Sequence, residues 1–135
     1  SRPGAPATSR QSPPGASFAL DWSALKAPDI AFFAAWRDDR LLGFGALKAL
    51  SADHGEIKSM RTAPQALRQG VAAALLTPLI ELAHVRGNRR VSLETGDGEA
   101  YAAARALYER FGFVEGEVFA DYPVTAFNRF FHRDL

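Results

Sequence analysis

The segment from Gly70 to Arg86 constrains the fold most. It is rich in helix formers, and Val71, Leu75, Leu79 and Leu82 fall at helical spacing. Gly87 is a natural stop, with Arg86 in the last turn. Pro78 removes one internal hydrogen bond at a cost of about 3 kcal/mol, so a bend is expected there rather than a break. Strand-like runs flank the helix: "HGEIKSMRT", His54 to Thr62, before it, and "RRVSLET", Arg89 to Thr95, after it. A strand, a long helix and a second strand make a crossover unit, which a pure antiparallel meander cannot contain.

The flanking sequence supplies the rest of the sheet. "DIAFFAAWR" and "RLLGFGALKAL" are apolar runs joined at Asp38 and Asp39, which predicts a hairpin. Gly43 and Gly45 in the second run point to close packing by a neighbour or to a bulge. If the strand His54 to Thr62 is regular, Glu56, Lys58 and Met60 share one face, and Ile57, Ser59 and Arg61 the other. "GDGEAYAAARALYERFGF" reads as a turn and an alanine-rich helix stopping at Gly112. Phe113 to Val118 and Ala126 to His132 read as closing strands. Residues 1–17 hold four of the eight prolines and few large apolar groups, which predicts a flexible arm before a domain over 18–135. "LDWSALKA", Leu20 to Ala27, predicts a short helix ended by Pro28. The expected class is α/β (α+β), with a mixed, mostly antiparallel sheet and helices on both faces.

Composition narrows the function classes. A chain of 135 residues with 47% hydrophobic content suits one globular domain. Its net charge of +1, with both signs interspersed, argues against a nucleic-acid partner bound through a broad basic face. Arg86, Arg89 and Arg90 read as solvated positions beside a strand start. There is no cysteine, which removes disulfides, thiolate metal sites and cysteine nucleophiles, and fits a reducing cytoplasm. His54, His84 and His132 lack metal-ligand spacing, so no metal is expected. The apolar stretch Val71 to Ala83 is interrupted by Thr77, Pro78 and Glu81 and is too short to span a bilayer. No apolar signal-peptide core is expected near the first residues.

"LRQGVAAALL", Leu67 to Leu76, places a bare glycine at the mouth of the helix. The structural reading is a tight corner. The chemical reading is a phosphate site, because the first amides of a helix lack internal partners and the dipole favours an anion. Backbone amides from Arg68 to Ala73 would converge there, and Gly70 would let the phosphate approach closely.

Together "GEIKSMRT", "LRQGVA", "RRVSLET" and "ALYERFGF" resemble the GCN5-related N-acetyltransferases, over Ala19 to the C-terminus. The family's loop pattern has Gln or Arg, two residues, Gly, one residue, then Gly or Ala. Gly70 and Ala72 fill the last two places, and Leu67 stands where Gln or Arg is usual. The resemblance implies that Leu67, Arg68, Gln69, Gly70, Val71, Ala72 and Ala73 cradle a coenzyme A pyrophosphate. It also implies a splayed sheet, with the pantetheine arm bonded to the backbone of Met60, Arg61 and Thr62. Tyr108 would face the sulfur as general acid, and the amide of Met60 would polarise the carbonyl. Glu56 is the implied base, with Glu94 as rival. Asp121 would border the acceptor site, or simply form a turn. The family's first strand and long helix are expected to be missing here, as is its asparagine near Tyr101. The implied activity is acetyl-CoA-dependent transfer to the amine of a small molecule or amino-acid-like acceptor, by direct attack in a ternary complex. A coenzyme A-binding sensor or partner subunit without catalysis is the rival reading. No membrane partner is implied, and a homodimer is compatible.

Overall fold

The computed structural model describes residues 6–11 and 29–135. Among these, the strands are β1 (Ala7–Gln11), β2 (Ile30–Arg37), β3 (Arg40–Ala49), β4 (His54–Thr62), β5 (Arg90–Gly96), β6 (Val114–Gly116) and β7 (Asn128–Asp134). The helices are α1 (Val71–Val85) and α2 (Ala102–Arg110), with single 3-10 turns at Pro64–Ala66 and Glu99–Tyr101. The sheet order is β1-β2-β3-β4-β5-β7-β6. β4 and β5 are parallel, and every other neighbouring pair is antiparallel. The expected mixed sheet is therefore found, with α1 as the crossover. None of the described helices is long and apolar enough to cross a membrane.

β1 corrects one expectation. Residues Ala7–Gln11 fall inside the predicted arm, yet they pair with β2 from Ala7–Trp36 to Gln11–Phe32. The segment carries almost no apolar weight. An edge strand is held largely by backbone hydrogen bonds, and this five-residue run is free of proline between Pro6 and Pro13. A strand therefore does precede the meander. The helix expected over Leu20–Ala27 lies outside the described residues.

The hairpin turns at Asp38, whose φ is +55°. α1 runs through Pro78 without a break, and its buried face is Val71, Leu75, Leu76, Leu79, Ile80 and Ala83. Gly87 ends it at φ +82°. The closing strands are shifted from their expected spans. β6 stops at Gly116, and β7 extends to Asp134.

Two apolar clusters mark the two faces of the sheet. Ile57, Val91, Leu93 and Phe131 pack with the buried face of α1, and Leu107, Tyr108 and Phe111 of the α2 region join them. Both described helices thus lie on one face. Phe32, Ala34, Phe44 and Ala46 form the core of the opposite face.

A β-bulge changes which side chains of β4 share a face. Phe44 pairs with Arg61 and Ala46 with Lys58, so Ser59 and Met60 together oppose Gly45. Met60 consequently packs with Ile57 on the helix face, and a Cβ on Gly45 would sit 2.4 Å from Met60 Sδ. Lys58 and Arg61 pair with the Ala46 and Phe44 positions of the other face. The regular alternation expected from the sequence holds only as far as Lys58.

Candidate active site

β4 and β5 part company in mid-strand. They pair at His54–Arg90, Gly55–Val91 and Glu56–Ser92, and at no position beyond. β4 then continues against β3 alone, and β5 against β7 alone. The backbone of β4 past Glu56 therefore has no strand partner on its β5 side, where an extended ligand could bond to it. A cleft of about 700 Å³ fills the gap. Its walls include Lys58, Met60 and Arg61 from β4, and Leu93, Glu94 and Thr95 from β5. Tyr108 of α2 and Asn128 of β7 also line it.

Tyr108 reaches the cleft because α2 packs back on the sheet. Its ring lies 6.1 Å from that of Phe113 and 6.3 Å from that of Phe131. Burial pushes its phenol above the ordinary tyrosine range, so it holds its proton at neutral pH. Arg105 steadies the mouth of the cleft, with Nη1 donating to the carbonyls of Gly96 at 2.8 Å and Gly98 at 3.0 Å.

The two carboxylates occupy different places. Glu94 lines the cleft, and Asn128 Nδ2 donates to its Oε2 at 3.2 Å. Asn128 is itself fixed, since Nδ2 also donates to the carbonyl of Pro123 at 3.0 Å and Oδ1 accepts from Thr125. Glu56 stands at the last β4–β5 pair, is only 2% exposed, and does not line the cleft. The hydroxyl of Tyr122 donates to Glu56 Oε2. Burial, that bond and the nearby charges of Glu56 and Glu94 push the Tyr122 phenol far up. Phe119 and Phe130 hold its ring, at 5.3 and 5.9 Å. Tyr122 was not singled out from the sequence, where only a "DYP" turn marks it. Asp121 beside it is exposed.

A second polar chain runs behind Glu56. The carbonyl of Glu117 can only accept, so His132 donates to it from Nε2 at 2.7 Å. Ser92 Oγ bridges the two rings, at 2.7 Å from His132 Nδ1 and 2.6 Å from His54 Nε2. Ser92 is fully buried. His54 and His132 are thus half-buried hydrogen-bonding partners, while His84 is exposed. Arg90 is paired with Asp134 at 2.9 Å.

The loop before α1 leaves the helix start open. Gly70 caps the helix at φ +77°, no side chain caps α1, and the space where a Cβ would stand is open. The first amides of the helix are therefore left for solvent or a ligand. Leu67, Arg68 and Gln69 are exposed, and Arg68 takes φ +64°. The Gln69 side chain is already engaged. Its Oε1 accepts from Arg37 Nη1 at 2.5 Å, and its Nε2 donates to the carbonyl of Gln65 at 3.1 Å. It ties the loop to the end of β2, so any contribution of Gln69 to an anion comes from its amide.

Comparison with known proteins accords with this layout. The family model described as the acetyltransferase (GNAT) family matches residues 5–113. The chain is 46% identical over 121 residues to the uncharacterized N-acetyltransferase YedL of Escherichia coli, spanning 90% of this chain and 76% of that one. It is 52% identical over 111 residues to the uncharacterized N-acetyltransferase YsnE of Bacillus subtilis, spanning 82% and 74%. A Bacillus subtilis acetyltransferase solved in complex with CoA superposes with a TM-score of 0.77, at 16% identity, over 96% of this chain and 99% of that one. The last likeness is one of fold. The chain belongs to the GNAT acetyltransferase family and is an N-acetyltransferase.

Proposed function

We propose that the chain transfers the acetyl group of acetyl-CoA to the amine of a small acceptor, by direct attack in a ternary complex. The observation that carries this reading is the end of β4–β5 pairing at Glu56–Ser92, with Tyr108 on the wall of the resulting cleft. On the side facing β5, where no strand pairs with it, the backbone of Met60, Arg61 and Thr62 offers donors and acceptors to the pantetheine arm. The uncapped amides at the start of α1 take the pyrophosphate, with Gly70 giving it room. Leu67 contributes its amide where other members can add a side chain.

The amine nitrogen attacks the thioester carbonyl carbon, and the C–S bond breaks. Tyr108 gives its phenolic proton to the departing sulfur, and the amide of Met60 polarises the carbonyl oxygen. The proton lost by the amine passes to a carboxylate. Placement favours Glu94 for that role, because it lines the cleft and Asn128 bonds only one of its oxygens. Glu56, sequestered with Tyr122, stands behind it as a second negative charge. The test is release of free thiol from acetyl-CoA across a panel of primary amines, with the N-acetyl product identified by mass spectrometry. Thiol release coupled to acetylated amine is expected. Binding of acetyl-CoA with no transfer to any amine would contradict the reading.

A further inference from the structure

We infer that the acceptor is a free amino acid, with Lys58 and Arg61 receiving its carboxylate and Glu94 its amine. The inference rests on the acetyl-transfer reading of the same cleft.

The bulge at Ser59 and Met60 is what makes it possible. It puts Lys58 and Arg61 on the sheet face whose core is Phe44 and Ala46, opposite the face that α1 covers. The proposed pyrophosphate site is the N-terminus of α1, so these cations are not its lining. Both nevertheless line the cleft. On the facing strand, Glu94 pairs with Phe130, whose ring packs with Phe119 and Tyr122, and Tyr122 bonds Glu56 on that same face. The cleft thus offers two cations from β4 and one carboxylate from β5.

None of these charges is neutralised within the cleft. Among the described residues, the ion pairs are Arg90–Asp134, Arg129–Asp97 and Arg129–Glu115. Neither Lys58, which is half-buried, nor Arg61, which is exposed at the edge of the cleft, takes part in one. Among the described residues, Asn128 bonds one oxygen of Glu94 and none bonds the other. A ligand with separate positive and negative ends satisfies both walls, through charge-assisted hydrogen bonds. A plain alkylamine leaves the cations unmet. A polyamine is repelled by them.

The experiment compares L-amino acids with their decarboxylated amines as acceptors, for example L-leucine with isopentylamine and L-phenylalanine with phenethylamine. Thiol release from acetyl-CoA gives kcat/KM for each. Loss of charge-assisted hydrogen bonds predicts that the preferred amino acid exceeds its own amine by about tenfold or more. Lys58→Gln and Arg61→Gln are expected to collapse that ratio towards one, by raising KM for the amino acid. Calorimetry with coenzyme A on the same variants separates a coenzyme role. Equal use of amino acid and amine by the wild type overturns the inference and leaves acetyl transfer standing. So does a rise in coenzyme A Kd as large as the rise in amino-acid KM. Absence of thiol release with every amino acid and amine overturns the inference together with the small-acceptor reading.

Discussion

Tyr122 and Glu56, 66 positions apart in the chain, are joined by a hydrogen bond from phenol to carboxylate at the point where the sheet splays. The loop between β6 and β7 is thereby fastened to the end of the β4–β5 pairing. Tyr122→Phe keeps the ring contacts with Phe119 and Phe130 but strands a carboxylate that is 2% exposed. Leaving such a group short of a donor costs about 1–3 kcal/mol. Urea unfolding should show a loss of that order, and an unchanged midpoint would mean that water replaces the hydroxyl freely.

The loop before α1 gives a second expectation. Gly70→Glu places a carboxylate where an anion should bind, and should raise the coenzyme A Kd by more than about tenfold. Gly70→Asn, which tolerates the left-handed conformation, serves as a control for the fold. Calorimetry showing wild-type affinity in a folded Gly70→Glu protein would reduce the loop to a corner.

The division of labour between the carboxylates is open to a pH profile. If Glu94 takes the amine proton, Glu94→Gln should lower kcat and remove the acidic limb of the kcat profile. Glu56→Gln should retain that limb. The reverse result would move the role to Glu56.

Stability should depend on pH through His54. Burial, then the charges of His132 and Arg90, hold its imidazole below the ordinary value of 6.5. In the window just below about 6.5, the unfolded chain binds a proton that the folded chain does not. Stability therefore rises with pH through that window and is lost as pH falls through it. Urea midpoints at pH 7.5 and 5.5 should differ in that sense, and His54→Gln should narrow the difference. A midpoint independent of pH in the wild type would exclude the linkage.

The sequence made some of this legible and hid the rest for physical reasons. The hairpin at Asp38, the helix Val71–Val85 and the crossover follow from local periodicity and turn chemistry. Tyr108 was named through the family resemblance, and Glu94 only as the rival of Glu56; that Tyr108 and Glu94 share one cleft while Glu56 stands outside it is a matter of tertiary placement. β1 was hidden because an edge strand needs little side-chain burial. The bulge at Ser59 and Met60 was hidden because two residues opposing one is a property of the pairing with β3, not of β4 alone. Tyr122 sits in a loop, and nothing local announces its contact with Glu56. The Ser92 chain joins residues 38 and 40 positions apart, far beyond any local pattern.

Acetyl transfer by Tyr108→Phe tests the active-site assignment most directly. The ring and its contacts with Phe113 and Phe131 remain, and only the phenolic proton is removed. Single-turnover rates with acetyl-CoA and the best amine of the panel should fall about 10²-fold, while the coenzyme A Kd stays near the wild-type value. A single-turnover rate equal to that of the wild type would show that Tyr108 packs the cleft without acting in it.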